Sequence, residues 1–152
     1  MSAADPFELS RFVDAQDRCY DTVVAELRSG RKRSHWIWFV FPQLAGLGGS
    51  PTARRFGISG LAEAGAYLAH PVLGARLREC ARILVDAGGR ERRSADEIFG
   101  FPDHLKVRSS MTLFERASGP AAAAADFAAV LDRFYAGYPD GRQDPATLAL
   151  LG

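Results

Sequence analysis

Apolar positions recur at helical spacing along most of the chain. Leu9, Val13, Tyr20, Val24 and Leu27 form one stripe, widened by Phe12 and Val23. Asp5 stands as N-cap, Pro6 suits the first helical position, Glu8 completes a capping box and Gly30 ends the segment, predicting one long first helix. Ser59 caps a second segment reaching about Leu68. His70-Pro71 opens a third, carrying Leu73, Leu77, Cys80 and Leu84 on one face, and Gly88-Gly89 closes it. Ser94 and Glu97 form a capping box before Ile98-Phe99, and Pro102-Asp103 starts a helix through about Ala117. Phe127, Val130, Leu131, Phe134 and Tyr138 mark another helix, into which the alanine run 121–125 feeds, and Asp144-Pro145 caps a short terminal one.

The stretch 35–41 departs from this pattern, because His35-Trp36-Ile37-Trp38-Phe39-Val40-Phe41 is apolar on nearly every side. Its aromatic and β-branched content favours a strand. Ser34 as a cap and the helix-dense surroundings favour a helix, and Pro42 ends the element either way. Ala45 to Pro51 reads as a flexible glycine loop, with Ser50-Pro51 a helix start after it. The expected fold class is all-α: a mainly helical single domain over residues 1–152, with 35–41 open to a short strand.

Composition narrows the function classes. A chain of 152 residues with 47% hydrophobic and 24% charged positions has ordinary globular content. Nineteen Lys and Arg against eighteen Asp and Glu give a net charge of +1, which argues against nucleic-acid and membrane-surface partners. The basic turns Arg28 to Arg33 and Arg90 to Arg93 then read as solvated helix ends. Cys19 and Cys80 fit no zinc or redox spacing and read as small hydrophobes in a reducing cytosol, with a bridge between them left open. The N-terminus lacks the basic start and apolar run of a secretory signal, and Trp36–Phe41 is too short to span a bilayer. A cytoplasmic location is expected. No metal site or cofactor is called for, and the oligomeric state is not legible.

Three segments carry candidate chemistry. In the first, Trp36 or Trp38 would stack a flat ring while His35 and Gln43 read its polar edge; the plain alternative is a core element with each indole N–H bonded to a neighbour. The second, Gly46-Leu47-Gly48-Gly49-Ser50, resembles a phosphate cradle only loosely and lacks a Walker lysine. The third runs from Asp103 to Phe114. Its polar and apolar residues do not separate into two faces, and Ser109, Ser110 and Thr112 are poor helix-interior choices. Lys106 there would meet an anion while Ser109, Ser110 and Thr112 orient it; alternatively the hydroxyls allow close helix packing. A shared site requires His35, Gln43, Lys106 and Ser110 to converge on one concavity.

The stretch from His35 to Leu44, followed by Gly46-Leu47-Gly48, resembles the signature of the domain of unknown function 1810 family. Tyr67-Leu68-Ala69-His70-Pro71-Val72-Leu73-Gly74 and Lys106 to Phe114 resemble its later motifs, and the pattern extends from Phe12 to Asp144 and Thr147-Leu148. The resemblance implies a small, mainly helical bacterial domain without an established activity. The calpastatin-like label of some members does not suit a chain so rich in core-forming helices. Ala15-Gln16 and His70-Pro71-Val72-Leu73 are more faintly similar to NADAR domains, which are linked to NAD, ADP-ribose and N-glycosidic cleavage. That family's Glu-His pair and C-terminal Trp-Gly motif have no counterpart here.

The expected function is therefore binding of a small anionic, nucleotide-like ligand. A hydrolytic version would cleave an N-glycosidic bond with His35 as acid–base group, its ordinary pKa lying near neutrality. The alternative is a non-catalytic interaction or structural module. Whether the chain is an enzyme is left open.

Overall fold

Ten helices make up the described chain: α1 (Ser10–Asp17), α2 (Tyr20–Ser29), α3 (Ile37–Val40), α4 (Pro51–Arg55), α5 (Leu61–Ala69), α6 (Leu73–Glu91), α7 (Ala95–Phe99), α8 (Asp103–Ser118), α9 (Ala121–Phe134) and α10 (Pro145–Leu151). They come from a computed structural model that describes residues 4–152, leaving aside the side chains of residues 89–91. The side chains of Arg90 and Glu91 in the expected solvated link therefore lie outside the described residues. The fold is all-α. Its one β feature among the described residues is an isolated parallel bridge between Leu44 and Ile58.

Helix α8 sets the architecture. Every residue from Val107 to Phe114 is buried, because α8 packs against α3, α5, α7, α9 and α10. These central turns, surrounded on all sides, have no solvent face to reserve for polar residues, which explains the unsorted pattern there. The hydroxyls satisfy themselves locally: Ser109, Thr112 and Ser118 each donate to the carbonyl four residues back. Around α8 an aromatic chain crosses the core. Phe12 meets the Tyr67 ring edge-on at 5.2 Å, Tyr67 meets Phe114 at 5.1 Å, and Phe114 meets Phe127 at 6.0 Å. Each such pair adds about 1 kcal/mol beyond the burial of its rings.

Three expectations need correction. The first helix is two helices, α1 and α2, because Cys19 leaves helical geometry at φ −145°. Nothing in the hydrophobic stripe signals this break. The expected start at Asp5-Pro6 is overturned as well: α1 begins at Ser10 behind Leu9, and Glu8 lies in the left-handed region at φ 53° and forms no capping box. Asp5 instead ties the turn ahead of the helix by accepting from the backbone N–H of Leu9 at 2.7 Å and Ser10 at 3.0 Å. Second, Gly88-Gly89 does not end α6, which runs to Glu91. Gly88 is there for a close approach: a Cβ would lie 2.3 Å from the Phe134 ring of α9. Third, the open conformation at 35–41 resolves as the single helical turn α3, followed by Pro42, and no strand forms among the described residues.

Three caps read from sequence hold, while Ser34 and Ser59 do not cap: α3 starts from Trp36 and α5 from Gly60, neither with a side-chain cap bond. Ser50 accepts from Ala53 N–H, Ser94 and Glu97 form the capping box, and Asp144 accepts from Thr147 N–H. Gly30 ends α2 in the left-handed region at φ 73°. Both cysteines are free thiols, Cys80 buried and Cys19 half-buried. No helix among the described residues is long and apolar enough to cross a membrane.

Candidate functional site

The path into α3 is built on Glu26, a residue of α2 that carries no motif in the sequence. Its Oε1 accepts from Arg33 N–H at 2.7 Å, Ser34 N–H at 2.9 Å and the Trp36 indole N–H at 3.0 Å, while Oε2 accepts from the Ser34 hydroxyl at 2.6 Å. Burial pushes this carboxyl up, but the donors together outweigh that and hold it at about 2. Trp36 is thereby fixed in the core at 1% exposure, against Phe41 and Phe99. Its indole follows the plain structural alternative and reaches no cavity. Lys32, in the stretch expected to be solvated, turns inward to pair with Asp103 at 2.8 Å.

Trp38, two residues on, points the other way. It lines a cavity of about 260 Å³ with Gln43, Gly48, Lys106, Ser109 and Asp144. Four of the expected residues, from two distant segments, thus share one wall. The Lys106 ammonium sits 4.0 Å from the Trp38 ring centroid and bonds Asp103 Oδ1 at 3.1 Å. Asp103 bridges Lys106 and Lys32. Burial raises its carboxyl, yet hydrogen bonds and charge from the two lysines leave it below its ordinary value. An ammonium has three donors, so Lys106 is oriented by the indole and Asp103 while keeping capacity for a ligand. Ser109 Oγ lies 3.0 Å from Asp144 Oδ2 and shares its one hydroxyl proton between that oxygen and Leu105 O, and the Thr147 N–H and hydroxyl converge on the same carboxylate oxygen. Asp144 Oδ1, the Gln43 amide and the Trp38 indole N–H make no hydrogen bond among the described residues.

Gln43 and Gly48 are placed by backbone. Ile58 N–H donates to Gln43 O at 2.9 Å, and Ala45 N–H donates to Ile58 O at 2.7 Å, so the bridge pins this loop. At Gly48 a Cβ would meet the Ala53 Cβ at 2.9 Å, with the Trp38 ring 3.7 Å away. Gly48 is therefore required by the close approach of Ala53, and the Trp38 ring rests in ordinary contact beside it.

The remaining expected residues lie elsewhere. Thr112 accepts from Asp144 N–H at 2.9 Å and anchors the approach to α10 from the far side of that wall. Ser110 is fully buried, its Oγ without a hydrogen-bond partner among the described residues. Replacing Ser110 by Ala is expected to hold or raise the thermal midpoint, because an unpartnered buried hydroxyl costs about 1–3 kcal/mol; a fall of several degrees would contradict its unpartnered state. His35 is exposed and faces a separate concavity. The required convergence of all four residues fails: Gln43 and Lys106 share a cavity with Trp38 and Ser109, whereas His35 lines another concavity and Ser110 is buried away from it.

Other polar residues serve the fold. Gln16 donates to Phe39 O at 2.7 Å and to the Tyr67 hydroxyl at 3.0 Å, tying α1 to α3 and α5. His70 Nδ1 accepts from Val72 and Leu73 N–H and so caps α6. Both residues carried the faint NADAR similarity, and both are structural. Arg108, which sequence reasoning passed over, is buried and clamps the loop before α10 through Asp140 at 2.6 Å. A larger concavity, about 590 Å³, lies along Phe7, Leu9, Val13 and Pro71 and is mostly apolar, with Asp5, Ser10, Asp14 and His70 also on its lining. It holds none of the expected ligand residues.

An all-helical domain centred on a buried α8, with a tryptophan–lysine cavity at its edge, defines the class. The sequence model of the protein of unknown function family DUF1810 matches residues 6–151, and the chain belongs to that family. Among solved structures it is similar to the conserved hypothetical protein Rv1873 from Mycobacterium tuberculosis, with 56% identity, a TM-score of 0.88, and coverage of 97% of this chain and 98% of that one. No curated protein matches.

Proposed function

We propose that this protein binds a small ligand combining one heteroaromatic ring with an anionic group, in the Trp38–Lys106 cavity. The convergence of Trp38, Gln43, Lys106 and Ser109 on one concavity supports this. Lys106 meets the anion, Gln43 and Asp144 Oδ1 pair with ring donors and acceptors, and Trp38 forms the apolar wall. At about 260 Å³ the space suits a ring with a short arm, since pockets for drug-sized ligands start near ~300 Å³. A mononucleotide or smaller molecule fits this better than a dinucleotide.

The hydrolytic version has lost His35, which lines another concavity. N-glycosidic cleavage here would rest on Asp144, so the proposal stands at binding. Titration calorimetry with nucleoside monophosphates, ADP-ribose and NAD tests it. A mononucleotide should bind saturably, and Lys106→Met should weaken it about tenfold or more, in keeping with loss of a charge-assisted bond. Undiminished binding in Lys106→Met would exclude this cavity.

One observation favours a second use of the same face. Phe101 is 78% exposed beside Pro102, and Leu105 is exposed at the cavity edge. A protein partner covering them would make this an interaction surface. In that case Phe101→Ser would abolish complex formation and leave mononucleotide binding untouched.

A further inference from the structure

A second concavity, of about 300 Å³, opens where α1 gives way to α2, and shares no lining residue with the Trp38–Lys106 cavity. Its apolar floor is Phe39 and Phe56, whose ring centroids lie 5.4 Å apart. Around the rim stand Arg18, Arg55 and His35, with Asp14 the carboxylate among them and Cys19 beside Arg18. The break after α1 matters here, because it leaves Arg18 and Cys19 at this edge instead of within a continuous helix.

These arginines are marked by the hollow they share and not by being unpaired, since Arg28, Arg31, Arg33, Arg54 and Arg116 also form no ion pair among the described residues. Arg11, Arg76, Arg82, Arg108 and Arg142 each meet a carboxylate at 3.0 Å or less. Arg18 and Arg55 form no ion pair among the described residues, though they face one hollow with an imidazole. The Arg55 guanidinium lies 5.0 Å from the Phe56 ring centroid, which holds its plane near the floor. Two unpaired guanidiniums over an aromatic base match an anion attached to a flat apolar body: guanidinium forks suit phosphate oxygens, and the rings suit the body.

We propose that the Arg18–His35–Arg55 concavity is a binding site for a small aromatic phosphate monoester. Arg18 and Arg55 hold the phosphate from two sides, His35 donates a further hydrogen bond through a ring N–H, and the ring lies on Phe39. Cys19 forms part of the wall and is not a nucleophile here. Burial and then the Glu26 charge push its thiol up, against a smaller opposing pull from Arg76.

Phenyl phosphate and inorganic phosphate are the probes, each titrated by calorimetry and by ¹H–¹⁵N NMR. Phenyl phosphate should bind about tenfold tighter than inorganic phosphate and shift the His35 ring resonances while leaving the Trp38 indole N–H in place. The double variant Arg18→Met/Arg55→Met should weaken it at least tenfold. Both side chains are exposed and without ion pairs among the described residues, so the variant should keep the wild-type thermal midpoint. The wild-type response of Lys106→Met separates this site from the Trp38–Lys106 cavity. Equal affinity for the two probes, unchanged binding by the double variant, or loss of binding in Lys106→Met would each overturn the assignment.

Discussion

Replacing Glu26 by Ala is expected to cost about 3–4 kcal/mol, the largest loss for any single polar side chain in the molecule. Two backbone N–H groups, a hydroxyl and a buried indole N–H would lose their acceptor together. A buried donor left unmatched costs about 1–3 kcal/mol, and part of this set would recover by hydrating. Glu26→Gln keeps one acceptor oxygen and should cost about half as much. Urea unfolding at pH 7 measures both. A loss below about 1 kcal/mol for the alanine variant would mean the turn into α3 stands without this carboxylate.

Acid should expose the same group. Its folded value of about 2 lies below the ordinary 4.5, so its contribution is complete above pH 4.5 and declines as pH falls from there toward 2. Asp103, also held low by its lysines, acts in the same direction. The gap in stability between wild type and Glu26→Gln should therefore narrow from pH 5 to pH 3. A gap that stays constant would contradict the assignment.

Gly74→Ala is the second large expected effect. A Cβ at this position would lie 2.1 Å from the Leu68 carbonyl oxygen and 2.9 Å from its carbon. Those are backbone atoms at the end of α5, so relief requires the α5–α6 corner to open. Overpacking of this kind costs about 1–3 kcal/mol, and backbone contact places Gly74 at the upper end. Gly65, inside α5, meets nothing within 4 Å. There alanine should be neutral or stabilise by about 0.5–1 kcal/mol. Calorimetric melting should thus move the two variants apart by about 6–16 °C, at about 2–4 °C per kcal/mol for a domain of this size. Equal midpoints would show that the corner yields freely.

What the chain made legible was local. Ser50, Ser94 with Glu97, and Asp144 cap the helices they precede, because a cap is a relation among residues three or four apart. The break at Cys19 was hidden because Val13 and Tyr20 keep helical spacing across it, with neither glycine nor proline between. Gly88 reads as a stop by type, but its role is set by Phe134 on another helix. The site was half legible for the same reason. Trp38, Gln43, Lys106 and Ser109 were marked by residue type, while nothing local distinguishes Trp38 from Trp36. Glu26 decides that by holding one indole in the core, and its partners lie on a loop that sequence spacing does not predict. Arg18 and Arg55 meet only in the folded chain.

The central claim is that Trp38 faces a ligand cavity while Trp36 belongs to the core. The chain has two tryptophans, so its ¹H–¹⁵N spectrum carries two indole N–H signals. Titration with nucleoside monophosphates should shift the Trp38 signal saturably, leave the Glu26-bound Trp36 signal in place, and lose its effect in Lys106→Met. A titration that moves neither indole, or one whose Trp38 shift survives Lys106→Met, would contradict the account.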